Sequence, residues 1–365
     1  MKTLRRMLYR EIVGSVIFVA LAFLSLFFFI DFVEEVGGRS QGSVSLAAKA
    51  VLLLIPGHLY ELMPICVLIG AIYAMARMAQ SSEFTILRTG GLGPGRALGL
   101  LSVLGMGFAL GTLLIGDFVA PHSQRAAVLL KAERRGEVPL ERTGAWLKER
   151  RAAPDGEHAV SINVGGASPT GELKAIRIFE FDAQHRLATR LQAARATVGK
   201  LGEWTLRDVE QVRWPQGPLG PVNIDQLQEM QWATSLTPAM VSAAVLPLET
   251  MSTWDLWQYS RHLSLQEQAA QRHEFQFWKR ALYPLACVVM LALALPFAYL
   301  HARSGGVSLR VFGGILLGIS FVLLNNLAGH IGLLRDWTPW MAASIPSLIY
   351  LGMSLGAFFW LVRYR

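Results

Sequence analysis

"IVGSVIFVALAFLSLFFFI", Ile12 to Ile30, contains no charged residue, and its reading decides the fold. A helix of about 20 apolar residues crosses a hydrocarbon core of roughly 30 Å. Lys2, Arg5, Arg6 and Arg10 precede the run, as basic residues precede a secretory signal. The run is too long for a signal, however, and Asp31, Glu34 and Glu35 follow it where a small-residue cleavage site would stand. The segment reads as an anchor that stays in the chain.

Five further runs of this kind are expected near His58–Met78, Ala97–Gly116, Ala281–Leu300, Val311–Leu334 and Trp337–Val362. The composition agrees: 53% of the 365 residues are hydrophobic and only 16% charged, a pairing that soluble domains seldom show. A net charge of +8 could point to nucleic acid, but the basic residues cluster beside the apolar runs. That placement speaks for membrane topology and against a nucleic-acid partner. With the N-terminus inside, the short inner segments hold Lys2, Arg5, Arg6, Arg10, Arg77, Arg88, Arg96, Arg303, Arg310, Arg363 and Arg365. The short outer ones hold only Arg39, Lys49 and Arg335. Both termini are therefore expected in the cytoplasm, with the long stretch from Asp117 to Arg280 outside.

That long stretch reads as a mainly-β domain. "HAVSINVGG" (158–166), "LKAIRIFEFD" (173–182) and "EWTLRDVEQVRW" (203–214) carry alternating or β-branched residues between Gly, Pro and Asp. Roughly six to nine short strands fit, enough for a sandwich or jelly roll. "MSTWDLWQYSRHLSLQEQAAQRHEFQFWKR" (251–280) then reads as helical, leading into the fourth span. The expected division is 1–117 for three spans, 118–272 for the β domain and 273–365 for three more.

Catalytic patterns are missing. No Walker A loop, HExxH or ligand-spaced His cluster occurs, so neither metal nor catalytic residue is expected. Cys66 and Cys287 lie in spans and read as small core residues. Asn325, Asn326 and His330 lie in the outer half of span five, where polar groups face a cavity or a neighbouring helix. Three GxxxG pairs, at 107/111, 314/318 and 352/356, permit close helix contact.

"AQSSEFTILRTGGLGPGR" (79–96) falls between spans two and three on the inner side. Ser81 or Ser82 is placed to cap a short helix near 81–90, with Glu83 in its first turn. Phe84 and Leu87 share one face, Arg88 follows, and Gly90 and Gly91 end the helix. A helix this short is marginal alone in water, so it is expected to dock its apolar face on another protein.

Six spans, an outer β insert after the third, and "YELMPICVLIGAIYAMARMAQSSEFTILRTGG" (60–91) together resemble the lipopolysaccharide-export permeases LptF and LptG. "FWKRALYPLACVVMLALALPF" (277–297) and "GVSLRVFGGILLGISFVLLNNL" (306–327) bring the pattern nearer the G-type subunit than the F-type. The resemblance implies a multi-pass protein of the bacterial inner membrane with a periplasmic, jelly-roll-like insert. It implies one permease subunit of an ATP-binding-cassette transporter that lifts lipopolysaccharide from that membrane. The implied partners are LptF, an LptB ATPase dimer that binds ATP and Mg in place of this chain, and LptC. It makes Ser82, Glu83, Phe84, Leu87 and Arg88 the ATPase-coupling set. Substrate contacts are expected of Arg39, Lys49, His58, Glu61, Asn325, Asn326 and His330. Relatives often carry lysines at the outer end of span one, whereas "FFIDFVEEVGGRSQGS" (28–43) is acidic there.

Two other classes fit parts of the chain. A membrane-anchored periplasmic binding or sensor module accounts for the outer domain but leaves six spans and the inner amphipathic segment without a purpose. An intramembrane enzyme would need a convergent nucleophile and base, and the sequence offers none.

Overall fold

The computed structural model describes residues 2–37, 44–81, 83, 86, 89, 91, 93–135, 144–153, 156–168, 172–199, 203–215, 221–236, 240–241, 244, 247–265, 270–299 and 306–363. The chain divides into two compact units. The first comprises Met1–Gly37, Leu54–Ser123 and Gln271–Arg365, and the second comprises Gly38–Leu53 and Gln124–Ala270.

Among the described residues, six helices are long and apolar enough to cross a membrane. They are built from α1 (Lys2–Gly37), then, after a short α2 (Val44–Leu52), α3 (Ile55–Gln80) and α4 (Pro94–Leu114). A π-turn (Ile115–Val119) joins α4 to α5 (Ala120–Arg135). After the sheet come α6 (Thr253–Leu265), α7 (Gln271–Leu282), α8 (Ala286–Tyr299), α9 (Val307–Leu334) and α10 (Pro339–Arg363). Proline starts α4 and α10, where its missing N–H costs nothing. Pro284 stands in the 3₁₀ turn Tyr283–Leu285 that separates α7 from α8.

The polar stretch after Gly116 departs from expectation. Expected to open the β domain, it is helical to Arg135. "AAVLLKAERR" (126–135) is rich in strong helix formers, so the helix outlasts its apolar part.

Helix α3 occupies the middle of the first unit and packs on α1, α8 and α9. Lipid tails are as apolar as leucine, so these contacts rest on close fit. A Cβ at Gly70 would lie 2.7 Å from the Val16 backbone, and one at Gly105 2.9 Å from that of Val288. Of the three GxxxG pairs, Gly314 and Gly318 receive Ile72 and Ile65 of α3. The other two pairs have no atom within 4 Å of the added Cβ. Cys66 and Cys287 are both free and buried in this core.

The second unit holds one six-stranded antiparallel sheet: β1 (Ala145–Ala153), β2 (Gly156–Ala167), β3 (Leu173–Phe181), β4 (Leu187–Val198), β5 (Glu203–Arg213) and β6 (Asn223–Ala233). The described strands pair in chain order, whereas a jelly roll brings strands together out of that order. Short hairpins make sequential pairing the direct outcome.

A line of unpaired residues crosses the sheet. Gly165, Ala175, Ala194, Asp208 and Gln228 are each skipped between paired neighbours on adjacent strands. At this line the buried residues change parity, from Leu173 to Ile176 and from Leu206 to Val209. One extra residue per strand therefore keeps the apolar side chains on the same face across a bend. Ala175 and Asp208 make the turn with φ of 52° and 55°. Trp204, Ile162, Ile176 and Ile178 fill the core beneath.

Candidate functional site at the two ends of the second span

The C-terminal end of α3 leads into the turn before span three. Arg77, in the last turn of α3, pairs with Glu11 of α1 at 2.6 Å. The Ser81 hydroxyl donates to the carbonyls of Arg77 and Met78, so this serine closes the second span and does not open the next helix. Glu83, Ile86 and Thr89 are helical, and Ile86 is exposed. Ser82, Phe84, Leu87, Arg88 and Gly90 lie outside the described residues. Gly91 turns the chain with a φ of 96°, a conformation that suits glycine alone, and its carbonyl accepts from Arg96. Gly93 and Pro94 then start span three. Beyond the α3 end, which an ion pair ties to α1, the described residues of this turn are helical Glu83, Ile86 and Thr89, with the isoleucine exposed.

The N-terminal end of α3 is organised differently. His58 Nε2 lies 2.6 Å from Asp31 Oδ2 of α1, both side chains partly buried, and the Phe27 ring sits 5.1 Å from the imidazole. The acidic end of the first span, unexpected from the sequence, therefore has a partner in His58. Two turns of tyrosine follow. Tyr60 donates to the Arg280 carbonyl at 3.4 Å, and Tyr283 donates back to the Glu61 carbonyl at 2.5 Å. Their rings stand 5.3 Å apart, and Phe321 and Tyr350 extend the contact to α9 and α10. Gly116 gives Tyr60 its room, since a Cβ there would meet the ring at 2.3 Å.

The expected substrate set is not assembled at one place among the described residues. Arg39 lies outside them. Lys49 sits on α2, which belongs with the sheet unit. His58 is engaged with Asp31, and the Glu61 side chain is exposed beside the tyrosine clamp. In α9, Asn325 turns inward while Asn326 and His330 turn outward, the His330 ring 2.9 Å from the Asn326 carbonyl. The two pairs Glu11–Arg77 and Asp31–His58 escape sequence reading because 66 and 27 residues separate their members. Their one local signal is a carboxylate at the margin of an apolar run. Among the described residues, no group of three His, Cys, Asp or Glu is placed to hold a metal.

Comparison with known proteins gives these two ends a context. The chain is 27% identical over 356 residues to lipopolysaccharide export system permease protein LptG of Haemophilus influenzae. It is 28% identical over 362 residues to the protein of that name in Escherichia coli. Each alignment covers 96% of both chains. The sequence profile of the lipopolysaccharide export system permeases LptF/LptG matches residues 6–363, so the chain belongs to that family.

Proposed function

We propose that the protein is a permease subunit of a lipopolysaccharide exporter of the bacterial inner membrane, of the G type. The family match across residues 6–363 carries this reading, together with six helices long enough to span a bilayer. In this reading both termini are cytoplasmic, in keeping with eleven basic residues on short inner segments against three on outer ones. The sheet unit faces the periplasm and receives lipid there.

A permease without a Walker A loop needs its energy from elsewhere. The turn at 81–91 is the docking point for a separate ATPase of the LptB kind, which binds ATP and Mg. Glu83 meets a basic residue there, and Ser82, Phe84, Leu87 and Arg88 complete the contact. Arg77, tied to Glu11, links that contact to the first span. LptF completes the permease pair and LptC receives the lipid. At the outer end, Arg39, Lys49, Glu61, Asn326 and His330 are candidate substrate contacts, Asn325 packs inside, and His58 acts through Asp31.

Reconstitution of the chain with LptF, LptB and LptC in proteoliposomes tests the reading. ATP-dependent release of lipopolysaccharide to LptC is the expected outcome. ATPase association without release, or release independent of ATP, would overturn it.

A further inference from the structure

One helix of the sheet unit has two unlike faces. Leu256, Tyr259, Ser260 and Leu263 of α6, spaced as one helical stripe, are buried. Tyr259 and Leu263 pack with Ala270. The other side presents Trp254, 65% exposed, and Trp257, 37% exposed, with their rings stacked 5.0 Å apart. The Arg261 guanidinium lies 5.5 Å over the Trp257 ring. A helix face that meets only water ordinarily carries small polar or charged residues. Two indoles and a guanidinium suit a boundary that is apolar on one side and wet, with phosphate, on the other.

Only short stretches of chain separate α6 from the spanning helices. At its start, Asp255 and Ser252 bond reciprocally, the Asp255 amide to the Ser252 hydroxyl and the Ser252 amide to the Asp255 carboxylate. Arg125 grips the same carboxylate at 2.6 Å and the Thr250 carbonyl at 2.7 Å. Arg125 lies on α5, the continuation of the span-three helix, eight residues beyond Asp117. At the other end, Leu265 is six residues from Gln271, at most about 20 Å of chain. The Gln271 amide reaches the Trp337 carbonyl, in the short connection between spans five and six. One end of α6 is thus bonded to the continuation of the span-three helix, and the other lies six residues of chain from the helix that leads into span four.

We propose that Trp254, Trp257 and Arg261 rest in the phosphate-bearing headgroup layer of the bilayer around the six spans. The proposal depends on the six helices being membrane spans and is independent of what is transported. The indoles lie at the level where polar headgroups meet acyl chains, and the arginine faces lipid phosphate.

The full-length protein in nanodiscs allows a direct test. The fluorescence lost on Trp254→Phe with Trp257→Phe isolates the two indoles, and phenylalanine preserves ring packing. That difference signal is expected to be blue-shifted, largely quenched by lipids carrying a headgroup nitroxide, and spared by aqueous iodide. Quenching by iodide with none by nitroxide would mean that the face meets water. Protection from both would mean that protein covers it. Either result overturns the proposal. The side of the membrane is read independently by an impermeant maleimide on Gln226→Cys, an exposed sheet position, in intact spheroplasts, so an error in topology is not mistaken for a failure of lipid contact.

Discussion

Glu83 and His58 mark the two kinds of residue that sequence reading treats alike. Glu83 follows a span end and sits in a helical segment on a short loop, so its role is local and legible. Substituting it by alanine is expected to reduce co-purification of the ATPase and export together, while membrane insertion is unchanged. Full ATPase retention and export in Glu83→Ala would end the coupling assignment. His58 looks equally available for a phosphate, yet its partner Asp31 comes from a different helix. Removing the imidazole leaves a partly buried carboxylate without its hydrogen bond, at a cost of about 1 kcal/mol, the low end for such losses. His58→Ala should therefore lower the detergent melting temperature more than Asp31→Asn with His58→Gln does. Equal melting of wild type and His58→Ala would show the pair to be idle.

At the scale of elements, the β strands were legible where two residues per period showed through, as at Val160, Ile162 and Val164. The helix α5 was not, because a polar, helix-forming stretch next to a β domain has no membrane signature. Helix α2 was missed for a related reason: nine residues are too few to establish a period. Helix α6 was legible as a helix, but its anchorage by Arg125 was not. Burial pushes the Asp255 carboxyl up, but the Ser252 amide and hydroxyl and Arg125 outweigh it and hold the group below its usual range. A carboxyl lowered in the folded state contributes stability above its unfolded pKa of about 4. That contribution is lost as pH falls through the folded value. Protease resistance at 253–265 should thus hold down to about pH 4 and decline below it, and Asp255→Asn should abolish the dependence. In the sheet, Trp204→Ala removes a fully buried indole and is expected to cost about 3–5 kcal/mol. A shift in denaturation midpoint that small surface changes also produce would contradict that placement.

For the molecule as a whole, the span count and family were readable because a bilayer imposes length and apolarity on every crossing segment. The arrangement of substrate contacts was not, because it depends on which helices meet. The complex supplies the whole-molecule prediction: charge reversal at both members of the inner pair, Glu11→Arg with Arg77→Glu, should restore export lost in either single change. Failure of the double variant alongside normal insertion would separate the first span from ATPase docking. The bend across the sheet bears on a different question, that of descent. One residue is spare in each of five neighbouring strands, and deleting the spare in any one, Ala194 for instance, would turn over every side chain on one side of the bend. Substitution is cheap by comparison. Chains built this way tolerate a change of residue in these strands far better than a change of length.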